Sequence, residues 1–172
     1  MAGRWAAAAA LLLAGAPAAA QPSEAAVKAA FLTRFAAYVS WPRPPAGGAV
    51  TLCVVGTDPF GPLIDAAARG QQIDGRPIAV RRIAGRETAD GCQIAFVQGS
   101  NGAKTAELLQ ALRGKPILTV SDAGGGGPRG MIFFVVDAGR VRFHIDQAAA
   151  QQSGLGLSSR LLAIALTVRT AR

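Results

Sequence analysis

Short apolar runs rich in β-branched and aromatic residues recur along this chain: VTLCVV (50–55), PIAVRRI (77–83), CQIAFV (92–97), KPILTVSD (115–122) and MIFFVVDAGRVRFHID (131–146). Their lengths are those of strands, and the last run divides in two around Asp137-Ala138-Gly139, where glycine supplies a positive φ for a hairpin. Helical patterns separate several of them. PSEAAVKAAFLTRFAAYVSWP (22–42) offers Ser23 as N-cap and Glu24 at the positive helix end, with Val27, Phe31, Phe35 and Tyr38 at helical spacing. Trp41-Pro42 stops that helix, because the residue before proline avoids the α region. A second helix is expected over about residues 60–69. A third, NGAKTAELLQALRG (101–114), has Asn101 as cap, Leu108, Leu109 and Leu112 on one face and Gly114 as terminator. A short helix from Asp146 and a last helix capped by Ser158 close the chain. Strands alternating with helices, then a hairpin, predict an α/β domain. Its central mixed sheet has about six strands, partly parallel, with helices on both faces and the hairpin near an edge.

The first twenty residues read as a targeting segment. Arg4 gives a minimal positive region, Trp5 to Gly15 are mostly Ala and Leu, and Ala18-Ala19-Ala20 offers small residues for cleavage before Gln21. No stretch reaches the roughly 18 uninterrupted apolar residues of a membrane span. The expectation is a cleaved signal peptide over 1–20 and one exported α/β domain over 21–172. Cys53 and Cys92 are the only cysteines. In an oxidising compartment such a pair is most simply one disulfide, and two thiols with one histidine do not make a metal site.

The formal charge of +8 falls to +7 once Arg4 is removed with the signal segment. It does not signal nucleic-acid binding. The arginines are scattered, Arg81-Arg82 is the one tight pair there, and no aromatic residues interleave with them for base stacking.

The segment SDAGGGGPRGMIFFV (121–135) invites comparison with a phosphate-binding loop. Such loops run from a strand into a helix whose N-terminus holds the phosphate. Here Gly124 to Gly127 lead through Pro128-Arg129-Gly130 into a β-type run, so no nucleotide cofactor is expected. The loop is either a flexible connector or an exposed loop that moulds to a partner. His144 lies on a strand whose alternation places Val141, Phe143 and Ile145 on one face and Arg140, Arg142, His144 and Asp146 on the other. No nucleophile elbow surrounds Ser121, and no carboxylate pair has a suggestive spacing, so no catalytic residue is assigned. Tyr38 and Trp41, amphipathic rings at the helix exit, are candidates for a pocket or interface.

Taken in order, VKAAFLTRFAAYVSWP, LCVVGTDPFG, GRPIAVRRI, CQIAFV, LRGKPILTVSD, GMIFFVVDAGRVRFHID and AAAQQSGLGLSSRLLAIA resemble the YfiR family of secreted bacterial proteins, from about Ala26 to Ala165. The resemblance implies a periplasmic regulator without catalysis. It would bind and repress the periplasmic region of a membrane-bound diguanylate cyclase or similar receptor, lowering cyclic di-GMP and biofilm formation. An outer-membrane lipoprotein is implied as a further partner, and a homodimer as an assembly. Cys53 and Cys92 match a cysteine pair of the family. The family's second pair is missing, and the aromatic usually found after Asp122 is replaced by glycine and Pro128-Arg129. Candidate partner contacts are Tyr38, Trp41, Arg129 with the glycine loop, Arg142 and His144. The competing expectation is a periplasmic small-ligand sensor or carrier acting with another membrane receptor.

Overall fold

The structure, a computed structural model, describes residues 21–43, 47–84, 88–125 and 127–171; the expected signal segment 1–20 lies outside them. In chain order the elements are α1 (Glu24–Phe35), β1 (Val39–Ser40), β2 (Val50–Gly56), α2 (Pro62–Ala68), β3 (Gln72–Ile73), β4 (Arg76–Ile83), β5 (Ile94–Gln98), α3 (Gly102–Ala111), β6 (Leu118–Asp122), β7 (Ile132–Asp137), β8 (Arg140–Asp146), α4 (Gln147–Gln152), β9 (Gly156–Leu157), α5 (Ser159–Ala163) and β10 (Thr167–Arg169). Eight strands form one mixed sheet in the order β10-β8-β7-β6-β5-β2-β4-β3, while β1 and β9 pair separately. The run from β7 through β6, β5 and β2 to β4 is parallel; β8 is antiparallel to β7, and β3 to β4.

The expected α/β class and the helices on both faces are present. The sheet exceeds the expected six strands by β3 and β10, which are two and three residues long, too short to show a period. Strand β10 also shortens the expected last helix and lies outside the hairpin. Ser158 caps that helix as its sequence suggests, accepting from the Leu161 amide at 3.4 Å. Helix α1 ends at Phe35, earlier than Trp41-Pro42 implies, and passes through a 3₁₀ turn at Ala36–Tyr38 into β1. The Ser158 amide donates to the Tyr38 carbonyl, so tertiary pairing takes over the end of the amphipathic pattern.

Alternation along the strands divides the sheet into two apolar layers. Leu52, Val54, Ile94, Phe96, Leu118, Val120, Ile132, Phe134, Phe143 and Ile145 point to one face and pack with Ala29, Leu32 and Phe35 of α1, Phe60 and Ile64 at α2, Ala150 of α4 and Leu161 of α5. Within it Phe31, Phe35, Phe134 and Phe143 meet with centroids 5.3 to 6.4 Å apart, in tilted, stacked and edge-on pairs. On the opposite face Cys53, Val55, Ile83, Ala95 and Val97 are covered by Leu112, Leu108 and Leu109 at α3. The disulfide Cys53–Cys92, spanning 39 residues with its Cα atoms 5.9 Å apart, lies in this second layer. In the chain-entropy model such a loop contributes about 4 kcal/mol.

The hairpin turns on Ala138 and Gly139, with φ of +47° and +72°. Positive φ at both central residues is what a two-residue type I′ turn requires. Gly139 adopts it freely; Ala138 does so against the steric preference of its Cβ.

Candidate functional site

The connection from β6 to β7 explains the glycine loop. Parallel strands normally need a crossover of a dozen or more residues, usually through a helix. Here the register is Val120 to Ile132 and Asp122 to Phe134, so the chain retreats only two residues before the next strand begins. A short loop therefore suffices, provided it lies tight against the sheet. A Cβ on Gly127 would stand 2.7 Å from Thr105 Cβ, and one on Gly130 would stand 2.9 Å from the Thr119 carbonyl oxygen. Ser121 ties the return down, its Oγ accepting from the Gly130 amide at 2.8 Å and donating to the Pro128 carbonyl at 3.3 Å. Gly127 and Gly130 are thus needed for close approach. Gly126 lies outside the described residues.

Because no helix crosses over in this connection, one face of the β7–β8–β10 end carries no apolar cover from α3. Neither hydrophobic cluster contains a residue from this face of the three strands. The pairs Phe133 with His144 and Val135 with Arg142 lie there, and Thr167 of β10 continues the row beside His144. Phe133 is nevertheless only 8% exposed. The exposed Arg129, delivered by the glycine loop, places its guanidinium 4.8 Å from the ring centroid. The His144 ring lies nearly parallel to Phe133 with centroids 6.5 Å apart, and its Nδ1 is 2.7 Å from Thr167 Oγ1. Arg169 pairs with Asp146 at the same edge, while Arg140 stays exposed and Arg142 half-buried.

Three of the sequence-derived contact candidates, Arg129, Arg142 and His144, therefore share one open, cation-rich sheet face. Tyr38 and Trp41 do not join them. Both are half-buried at the fringe of the first apolar layer, and Trp41 borders a cleft of about 370 Å³ with Arg43, Cys92, Lys115 and Ile117. Its Nε1 is buried and has no hydrogen-bond partner. Sequence reasoning missed Phe133, the aromatic floor of the open face. Strand alternation sends Phe133 and Phe134 to opposite faces, but in an unbroken run of six apolar residues, 131–136, only the register shows which of them the core takes.

Electrostatics elsewhere hold the scaffold. Arg82 binds Asp58, Asp65 and the Gly61 carbonyl, fixing the entry to α2; hydrogen bonding from Arg82 holds the Asp65 carboxyl below its usual range. Lys28 is buried between Glu24 and Asp122, with an Nζ to Asp122 Oδ2 distance of 2.9 Å. Burial pulls its pKa down, yet the hydrogen bonds to Glu24 and Asp122 outweigh this and hold the ammonium above its ordinary value. Among the described residues no cluster of His, Cys, Asp and Glu could hold a metal ion, and no helix is long and apolar enough to cross a membrane.

Comparison with curated proteins finds no match. The family model described as YfiR/HmsC-like matches residues 25–166, which takes in every strand from β1 to β9, the glycine crossover and the β7–β8 part of the open face, and stops just before β10. This chain belongs to the YfiR/HmsC-like family.

Proposed function

We propose that this protein is a periplasmic, non-enzymatic regulator. It docks through the open β7–β8–β10 face on the periplasmic part of an inner-membrane signalling protein, most simply a diguanylate cyclase, and holds it inactive. The observation that carries this reading is the gathering of Arg129, Phe133, Arg142 and His144 on a strand face that no apolar layer covers. An aromatic floor under the Arg129 guanidinium, with Arg142 on the same strand face, has the composition of an interface anchor, since Arg and aromatic residues dominate hot spots. A regulator of this kind shifts its partner's equilibrium only by its difference in affinity for the two states. Family membership supports the regulatory role and the membrane partner.

The test is cellular cyclic di-GMP in a strain lacking this gene, complemented with the wild-type protein or with the Arg129→Ala/Arg142→Ala variant. Deletion raises cyclic di-GMP, the wild type restores it, and the folded double variant does not. An unchanged level on deletion removes the cyclase from the proposal; full complementation by the double variant removes this face.

A further inference from the structure

The chain runs from β2 to β4 on one side, then returns past β2 to β5 and continues outward through β6 and β7. Helix α2, after β2, covers one face, and α3, after β5, covers the other. The change of direction between β2 and β5 is a topological switch point, and in open α/β sheets ligands bind outside the carboxyl ends of the strands at such a point. The two strand ends are held close there: Gly56 has φ of +90°, a Cβ on it would stand 2.2 Å from the Gln98 carbonyl oxygen, and the Thr57 amide donates to that oxygen at 2.7 Å.

A crevice of about 280 Å³ opens at these carboxyl ends, on the face opposite the docking surface proposed above. Glu24 and Lys28 of α1, Pro59 and Phe60 before α2, Gln98 ending β5 and Asp122 ending β6 line it. Two charged side chains in it are over nine-tenths buried, Lys28 at 8% and Asp122 at 6% exposure. Gln98 Oε1 is buried and has no hydrogen-bond partner. An acceptor left without a donor is costly, and the residue that carries it lines the crevice. Among the described residues that line it, two carboxylates against one ammonium give a formal charge of −1, which the half-charge of about +0.5 at the N-terminus of α1 only partly offsets. Phe60 and Pro59 supply an apolar wall.

We infer that this crevice is a binding site for a small primary amine, whose ammonium group donates to Gln98 Oε1 and is balanced by the Glu24 and Asp122 carboxylates while its alkyl part packs on Phe60. The site does not depend on the docking face or on any cyclase, so its test uses the isolated exported protein.

The test titrates the ¹⁵N-labelled protein at pH 7 with three probes of one shape: butylamine, butan-1-ol and butyrate. Butylamine is expected to shift the Lys28, Gln98 and Asp122 amides saturably, butanol at least about tenfold more weakly, and butyrate not at all. Gln98→Leu is expected to weaken butylamine at least about tenfold, the range for a hydrogen bond to a charged group. If that variant does not fold, Glu24→Gln, whose side chain is 54% exposed, is expected to lower butylamine affinity several-fold with the fold intact. Absence of saturable shifts at these amides, butyrate binding as well as butylamine, or undiminished butylamine binding by the folded variant overturns the inference.

Discussion

The two ends of the sheet are built from similar strands but finished differently. At the β2–β5 end both faces are sealed: α1 and α2 cover one, and α3 with the Cys53–Cys92 disulfide covers the other. At the β7–β8 end only the α1 face is sealed, and the other is left to Arg129, Arg142 and His144. The difference follows from how each parallel pair is connected. The β5–β6 crossover carries a ten-residue helix, whereas the β6–β7 crossover carries a loop whose glycines let it lie flat. The α1 face is therefore sealed along both ends of the sheet, the second face only at the β2–β5 end, and the docking surface we propose lies on its open stretch.

Adjacent phenylalanines give the largest break in this comparison. Phe134 is fully buried in the aromatic cluster, so Phe134→Ala is expected to cost about 3–5 kcal/mol. Phe133→Ala, outside both apolar clusters, with the Arg129 guanidinium over its ring and His144 beside it, is expected to cost clearly less, about 1–2 kcal/mol, while weakening partner binding. Urea titrations of the two variants decide this; equal losses would mean the second face is packed like the first.

Removing the disulfide tests the sealed end. The Cys53→Ala/Cys92→Ala variant is expected to lose up to about 4 kcal/mol by thermal or denaturant unfolding, without change at the open face. Loss of partner binding by this variant while it remains folded would show that the two ends are coupled.

A smaller effect is expected from alkali. Lys28 binds its proton more tightly folded than unfolded, so its contribution is complete below the unfolded value of about 10.4 and is lost as pH rises through the higher folded value. The stability gap between wild type and Lys28→Met should therefore narrow as pH rises from the unfolded value through the higher folded one. A gap constant over that window would mean the ammonium does not hold α1 to the end of β6.

The smallest predicted change is a gain. Ala138→Gly relieves the Cβ strain at φ +47° in the hairpin turn, and is expected to stabilise by about 0.5–1 kcal/mol in a thermal melt. A loss would indicate that loop entropy outweighs strain there.

Much of this was legible in the sequence, because it depends on short-range patterns. The strand runs, the caps Ser23, Asn101, Asp146 and Ser158, and the division of β8 into Val141-Phe143-Ile145 against Arg142-His144 all follow from side-chain periodicity and local hydrogen bonding, and the structure contains them. The pairing of Cys53 with Cys92 followed from there being only two cysteines. Tertiary structure alone decided the rest. β3, β10 and the β1–β9 pair are too short to carry a period, and exist because a neighbouring strand offers them hydrogen bonds. The glycine run resembles a cradle or a flexible tether until the register of β6 and β7 shows how little distance it spans and how closely Gly127 and Gly130 approach their neighbours. That Arg129 covers Phe133, and that Lys28 meets Asp122 across 94 residues, are contacts between segments whose separation no local pattern encodes. Sequence fixes which face of each element is apolar; which of those faces finds a cover depends on the path of the connections, and here one short crossover leaves a face open.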